Sequence, residues 1–138
     1  MNWLPWALLS ALFAGLTAVL AKVGVKDIDS TLATAIRTVV ILGFAWTMAL
    51  LQGFDTLSKV KGRTWLFLVL SGLATGASWL CYFRSLQLGE ASKVAPVDKL
   101  SVVLAMVLAA LFLGEQVTWR HWIGAGFIVT GTIIIAKV

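Results

Sequence analysis

WLPWALLSALFAGLTAVLAKVGV, the stretch from Trp3 to Val25, contains a single charged residue, Lys22. A helix needs about 20 apolar residues to cross the hydrocarbon core of a bilayer, and this stretch supplies them. Four further apolar runs follow it along the chain. The five predicted helices cover approximately residues 3–25, 32–51, 64–86, 94–113 and 119–136. The sequence therefore predicts an all-α integral membrane protein with five transmembrane helices.

The composition indicates that lipid surrounds the chain. Hydrophobic residues make up 60% of the 138 residues and charged residues only 12%. Five crossings use almost all of this length, so we expect a single domain over residues 1–138 with no soluble catalytic part. No nucleophile with a nearby base, phosphate-cradling loop or metal-ligand cluster is evident in the sequence. We therefore expect no enzyme activity, no catalytic residue, no metal and no cofactor.

The formal net charge of +5 would suggest nucleic acid as the partner of a soluble protein. Here the basic residues mostly lie near the ends of apolar runs, where they can reach lipid headgroups. They form no stripe that could follow a phosphate backbone. We predict the lipid bilayer as a partner and no nucleic acid.

An odd number of crossings places the two termini on opposite sides of the membrane. On one side the predicted topology places Lys59, Lys61, Arg63 and Arg120. On the other it places Lys22, Lys26, Arg84, Lys93 and Lys137, with Arg37 and Lys99 just inside the membrane. Neither side clearly dominates, and a weak bias permits both orientations and hence an antiparallel homodimer. A single orientation fixed by the early helices is an equally open alternative.

Arg37 and Asp98 are the strongest candidates for a functional pair. Each lies about five residues past a predicted helix start, roughly 8 Å deep at 1.5 Å per residue. A purely structural salt bridge is the alternative interpretation. Lys99 is a third candidate, although its side chain can also snorkel to the headgroups. Snorkelling is the expected role of Lys22 and Arg84.

A polar face runs along the third helix. Its members are spaced by four or three residues, which keeps them on one side of a helix. They are Ser71, Thr75, Ser78, Tyr82 and Ser85. Gly72 and Gly76 lie beside this face as a pair of small residues suited to close packing. The face can therefore line a cavity for a small-molecule substrate or pack against another helix.

Glycines mark helix contacts and helix ends. Gly124 and Gly131 share one face of the fifth helix at a seven-residue spacing, which indicates a close helix contact, predicted here between protomers. Gly89 is predicted to end the third helix in the left-handed conformation. At the helix N-termini, Ser30 or Thr31 is predicted to cap the second helix, and Pro96 is predicted to lie in the first turn of the fourth helix.

The second half of the chain resembles the EamA family of the drug/metabolite transporter superfamily. The resemblance lies in Tyr82–Ala95 (YFRSLQLGEASKVA), in Leu111–Glu115 (LFLGE) and in Trp122–Ala125 (WIGA) with the stretch up to Gly131. The number of helices matches the family over the whole chain, and the sequence motifs match over about the last 60 residues. Asp98 and Lys99 lie where the family is usually uncharged, and Val102 stands where its members often have a proline.

The resemblance implies a multi-pass transporter of the bacterial inner membrane. Many members of the family have ten helices, arranged as two five-helix repeats of opposite orientation. This chain is similar to one such repeat, so two oppositely inserted copies would rebuild the inverted pair around a central cavity. A flippase-like subunit for a lipid-linked metabolite is an alternative that the superfamily implies. A non-transporting membrane scaffold is a further alternative.

The charges indicate the substrate class. Lys22, Arg37 and Lys99 outnumber the single acid Asp98, which favours solutes with a carboxylate or phosphate, such as amino acids or related metabolites. The predicted substrate-binding residues are Arg37, Asp98, Lys99, Ser71, Thr75, Ser78 and Tyr82.

Overall fold

A computed structural model describes residues 2–53 and 60–137. Met1, residues 54–59 and Val138 lie outside this range, and with them Lys59 of the predicted charge distribution. All regular secondary structure in the described range is helical. The helices are α1 (Leu4–Gly24), α2 (Ser30–Gln52), α3 (Gly62–Leu88), α4 (Ala91–Asp98), α5 (Leu100–Leu108), a π-helical segment (Ala109–Leu113) and α6 (Trp119–Lys137).

The chain divides into two compact units. One consists of Met1–Leu20 and Leu88–Val138, and therefore contains most of α1 together with α4, α5 and α6. The other, Ala21–Gln87, contains the end of α1 with α2 and α3. In the first unit α6 packs against α4 and α5, burying Ala125 and Thr132 one above the other on the same face.

Four segments in the described range are long and apolar enough to cross a membrane: Leu4–Gly24, Ser30–Gln52, Gly62–Leu88 and Ala91–Leu113. Most large apolar side chains on them are exposed, as expected when lipid is the outer solvent. The fifth helix, α6, has 19 residues and an axial length of about 28 Å. Its first turn carries Arg120 and His121, which lower its hydropathy, and a fifth crossing stays a prediction.

The second helix is capped by Asp29, which corrects the prediction of Ser30 or Thr31. One carboxylate oxygen of Asp29 accepts hydrogen bonds from the backbone N–H of Thr31 at 2.8 Å and of Leu32 at 3.2 Å. These bonds stabilise the ionised carboxylate and hold the pKa of Asp29 below its ordinary value. The helix begins two residues before the predicted Leu32 because Asp29 satisfies its first free amides.

The fourth predicted crossing is one segment of membrane-spanning length, Ala91–Leu113, but the helix within it is interrupted. It begins at Ala91 rather than Val94, so Pro96 lies in its second turn, and it is interrupted between Asp98 and Leu100. Proline has no N–H for the carbonyl four residues earlier. Beyond it the backbone tightens, with the N–H of Lys99 donating to the carbonyl of Pro96 at 3.1 Å and that of Val102 to Lys99 at 3.0 Å.

Two described glycines that follow a helix have a positive φ. They are Gly53 after α2, with φ 85°, and Gly114 after the π-helical segment, with φ 67°. Of these, Gly114 has the left-handed helical conformation, whereas Gly53 has an extended ψ of 157°. Gly89, which was predicted to have the left-handed conformation, does not adopt it. The next helix follows Gly89 almost at once, with Glu90 as its extended N-cap, so the chain turns here without a left-handed residue.

Candidate substrate site

Arg37 lies against two aromatic rings of α3. Its guanidinium carbon is 4.6 Å from the ring centroid of Trp79 and 5.4 Å from that of Phe83. Trp79 and Phe83 are four residues apart and therefore share one face of α3. Phe83 is only 3% exposed, so the ring beside the guanidinium is firmly packed. The two rings hold a permanent positive charge at a defined place in the second unit.

This contact favours anion binding because it leaves the donors of the guanidinium available. Cation–π attraction acts through the ring faces and uses none of the five N–H groups of arginine. Within its own unit, described over residues 21–53 and 60–87, Arg37 has no carboxylate at ion-pair distance. The geometry thus presents a held guanidinium whose N–H fork can donate to a carboxylate or phosphate.

The rings also offset part of the free-energy cost of placing the Arg37 charge inside the membrane. An arginine at the centre of a membrane helix costs about 2.5–3.5 kcal/mol on insertion scales. A desolvated cation–π contact contributes about 2 kcal/mol and an exposed one about 0.5–1 kcal/mol. Two contacts are therefore comparable with the insertion cost, and Arg37 can be retained in the helix without an ion pair.

Asp98 and Lys99 lie together at the break between α4 and α5. The ammonium of Lys99 is 3.5 Å from a carboxylate oxygen of Asp98, and their side chains are 56% and 35% exposed. Arg37 and Asp98 each occupy the eighth position of their helices, but they belong to different units. The pairing of Arg37 with Asp98 stays a prediction.

The predicted polar face of α3 is largely exposed. Ser71, Thr75 and Ser78 are exposed and Tyr82 is half-buried. The hydroxyl of Thr75 donates to the carbonyl of Ser71 at 2.9 Å, a local bond that costs little to exchange for a bond to a ligand. Ser78 and Tyr82 directly precede the aromatic residues that contact Arg37 and lie beside the same part of α3 as the guanidinium, whereas Thr75 and Ser71 lie one and two turns earlier.

Lys22 and Arg84, expected to snorkel, take part in a polar cluster that joins the end of α3 to the α1–α2 connection. The Lys22 ammonium donates to the Leu86 carbonyl at 2.6 Å, one of the last carbonyls of α3 without a helical partner. The Gln87 amide donates to the carbonyls of Val25 at 3.2 Å and Ile28 at 2.6 Å. A guanidinium N–H of Arg84 donates to the Gln87 amide oxygen at 3.1 Å. Lys22 and Gln87 therefore have structural partners inside the second unit.

Gly124 and Gly131 contact nothing at the position of a β-carbon. At both glycines an added Cβ would meet no atom within 4 Å. The packed face of α6 is the neighbouring one, formed by Ala125 and Thr132. The predicted contact between protomers through these glycines remains a prediction.

Sequence reasoning missed the two aromatic partners of Arg37. Trp79 and Phe83 have the same four-residue spacing as Ser78 and Tyr82 of the polar face, displaced by one position. This spacing was the available sign in the sequence that the two rings share a face of α3. In the described residues no group of three or more His, Cys, Asp or Glu side chains is arranged to hold a metal ion.

Comparison with known proteins bears on these observations. Residues 1–137 match the model of the EamA-like transporter family. The chain belongs to this family. A transporter of Sinorhizobium sp, named for the cobO 3′ region, is 55% identical over 136 residues, which is 98% of this chain and 96% of the relative. The family and this relative agree with the membrane-spanning helices, so transport is the activity class of the chain.

More distant relatives of the EamA-like chain are named as flippase subunits. ArnE of Aeromonas salmonicida, named as a probable 4-amino-4-deoxy-L-arabinose-phosphoundecaprenol flippase subunit, is 30% identical over 69 residues. That match covers 50% of this chain and 60% of the relative. A protein of the same name from Yersinia pseudotuberculosis (strain IP 31758) is 32% identical over 70 residues. No solved structure matches the chain.

Proposed function

We propose that this EamA-like protein transports small anionic or zwitterionic metabolites, such as amino acids, across the bacterial inner membrane. The observation that carries the proposal is Arg37, whose guanidinium lies over Trp79 and Phe83 through contacts that use none of its N–H donors. A carboxylate binds such a fork through two parallel hydrogen bonds. The hydroxyls of Ser71, Thr75, Ser78 and Tyr82 supply further hydrogen bonds along the same helix.

Asp98 and Lys99, in the first unit, are proposed as further substrate-binding residues. Irregular backbone is tolerated at membrane depth where it is buried in protein or lines a cavity, and broken helices bind substrates in many transporters. The break at Lys99 combines an interrupted helix with two charged side chains. In this proposal Lys99 contacts the anionic group, and Asp98 contacts the ammonium of a zwitterion.

Assembly as an antiparallel homodimer completes the proposal. The polar face of α3 is exposed in the single chain, and an exposed row of hydroxyls facing lipid is unfavourable. A second, inverted copy would cover that face and enclose a cavity between the protomers. Green fluorescent protein and alkaline phosphatase fused to Val138 report opposite sides of the membrane. The proposal expects both fusions to be active, and activity of only one would contradict the antiparallel arrangement.

Uptake into vesicles tests the transport proposal. The purified protein is reconstituted and offered labelled amino acids, small carboxylates and phosphorylated metabolites, with neutral sugars and organic cations for comparison. We expect uptake of at least one anionic or zwitterionic solute and its loss in Arg37→Gln. Arg63→Gln is the matched control, because Arg63 also lies over a ring, that of Phe67 at 5.7 Å, but in the first turn of α3. Uptake of cations alone, or of none of the solutes, would contradict the proposal, and the second result is the one expected of a scaffold.

A flippase subunit for a lipid-linked metabolite is the second candidate. The named ArnE relatives favour it, over about half of this chain. A flippase subunit would move a fluorescent polyprenyl-phosphate sugar between leaflets while leaving free amino acids outside the vesicle. The same vesicles can be used for both assays, so the two functions give opposite results.

A further inference from the structure

An apolar groove opens between α5 and α6 in the first unit. It has a volume of about 340 Å³, within the range of ligand pockets, which is roughly 300–1,000 Å³. Its lining is aliphatic except at one end. The residues that line it are Val102, Val103, Met106, Arg120, His121, Gly124, Ala125 and Ile128.

The groove has a polar end and an apolar end. The hydroxyl of Thr132, late in α6, donates to the carbonyl of Pro96 in α4 at 3.4 Å, so α6 runs antiparallel to α4 and α5. Arg120 and His121 consequently lie at the Met106 end, and Ile128 lies toward Val102. Eight residues separate Arg120 from Ile128, or about 12 Å at 1.5 Å per residue. This length is slightly less than one leaflet of a hydrocarbon core that is about 30 Å thick.

We infer that the polar end lies at headgroup level. Trp119 and Trp122, in the first turn of α6, are 68% and 50% exposed, and tryptophan is enriched at membrane interfaces. The guanidinium of Arg120 lies 5.9 Å from the ring centroid of Trp119. Among the described residues of this unit, 2–20 and 88–137, no carboxylate lies within ion-pair distance of Arg120.

His121 adds a second donor at the same end. Its Nδ1 accepts a hydrogen bond from the backbone N–H of Thr118 at 3.1 Å, and the Thr118 hydroxyl lies 2.7 Å from the same atom. A neutral ring that accepts at Nδ1 carries its proton on Nε2. The cap of α6 therefore fixes the imidazole with an N–H donor at the other side of the ring.

We propose that this groove binds one acyl chain of an anionic phospholipid, with the phosphate of its headgroup at Arg120 and His121. The apolar walls match the chain, and the cation at interface level matches the headgroup charge. A second copy of the protein, docking through Gly124 and Gly131, is the competing occupant. The lipid is favoured over a docked helix because the groove ends at Ile128 and carries its positive charge at one end only.

The test titrates the purified full chain in detergent with phosphatidylglycerol and with phosphatidylcholine of the same acyl chains, and counts bound lipids by native mass spectrometry. Gly124→Leu places a side chain into the groove, where an added Cβ meets no atom, and leucine stabilises a helix relative to glycine. We expect it to weaken binding of both lipids at least about tenfold. Gly131→Leu is the matched control, with equal space but outside the groove, and is expected to bind as wild type does.

The charged end is tested separately. Arg120→Gln is expected to lower the preference for phosphatidylglycerol about fivefold, since one basic residue near an anionic surface contributes about 1 kcal/mol. Arg63→Gln, the other first-turn arginine over a ring, is expected to keep that preference. Val102→Trp fills the opposite end of the groove and replaces Gly124→Leu if that variant does not fold. An unchanged lipid count in the filled variants would overturn the proposal.

Competition and crosslinking distinguish the other occupants. Inorganic phosphate at millimolar concentration should not displace the lipid, because it lacks the acyl chain, and displacement would show that the site holds only an anion. A photoreactive residue at Gly124 should crosslink to lipid. Crosslinking to a second copy of the chain would overturn the proposal in favour of a protomer interface.

Discussion

Replacing Trp79 with leucine removes the nearer of the two rings that hold Arg37. The guanidinium carbon is 4.6 Å from the Trp79 centroid and 5.4 Å from that of Phe83, so the stronger contact is lost and the weaker one remains. The lost contact contributes about 1–2 kcal/mol at a half-buried position. This changes the ratio between the held and the snorkelled arrangements of Arg37 by a factor of about 5–30.

The expected consequence is a higher apparent KM for the transported anion. When only a fraction of the protein is competent to bind, the apparent dissociation constant rises by the inverse of that fraction. Trp79→Leu should therefore raise KM by up to about 5–30-fold with a smaller effect on the maximal rate. Trp79→Phe keeps an aromatic face and should stay close to wild type.

Initial rates of uptake into vesicles, measured over a range of substrate concentrations, give both parameters. Trp65→Leu is the control, because Trp65 lies in the first turn of the same helix and is 51% exposed. A wild-type KM in Trp79→Leu, combined with loss of transport in Arg37→Gln, would refute the idea that the ring positions the guanidinium. A lowered maximal rate at constant KM would refute it as well.

Three further predictions concern the polar cluster, the cap and the break. Gln87→Leu removes the two hydrogen bonds that the Gln87 amide donates to carbonyls of the α1–α2 connection. This should lower the free energy of unfolding in detergent by about 1–3 kcal/mol. Gln52→Leu, at the exposed end of α2, should have little effect, and equal melting of the two variants would contradict the role of the cluster. The pKa of Asp29 is lowered from 3.8 by its cap hydrogen bonds, so the stability it contributes is present above this pH and is lost as the pH falls through the lower folded value. The melting temperature of Asp29→Asn, whose amide also caps, should consequently fall less in acid than that of wild type or Asp27→Asn, and parallel acid curves would refute this. Asp98→Asn should reduce uptake of zwitterions more than that of simple anions, and unchanged uptake of every transported solute would exclude Asp98 from the site.

The helices were predictable because the apolar runs are long and the polar connections short. The limits of α1 and α6 differ from prediction by one residue or less at each end, since Trp3, Val25 and Trp119 border the runs on either side. The break in the fourth helix was not predicted. Pro96 fits the first turn of a helix beginning at Val94, and only the earlier start at Ala91 places its missing N–H inside the helix, three residues before the break at Lys99.

The candidate site was predicted in part, because sequence spacing shows which residues share a helix face and not which helices meet. The spacing of three and four residues identified the hydroxyl face of α3. The free-energy cost of placing a charge inside a membrane helix identified Arg37. The contact of Arg37 with Trp79 and Phe83 depends on how α2 packs against α3, which no spacing within one helix reveals. For the same reason Lys22 was expected at the headgroups, although its ammonium bonds the Leu86 carbonyl 64 residues away.

The central claim is that Arg37 binds the anionic group of the transported solute, and an equilibrium binding isotherm tests it most directly. Isothermal titration of the purified protein with the best-transported solute compares wild type, Arg37→Gln and Arg63→Gln. The account predicts at least about tenfold weaker binding in Arg37→Gln, because a charged hydrogen-bond pair of about 1.5–3 kcal/mol is lost, with wild-type affinity in Arg63→Gln. Equal affinity in all three proteins would contradict it.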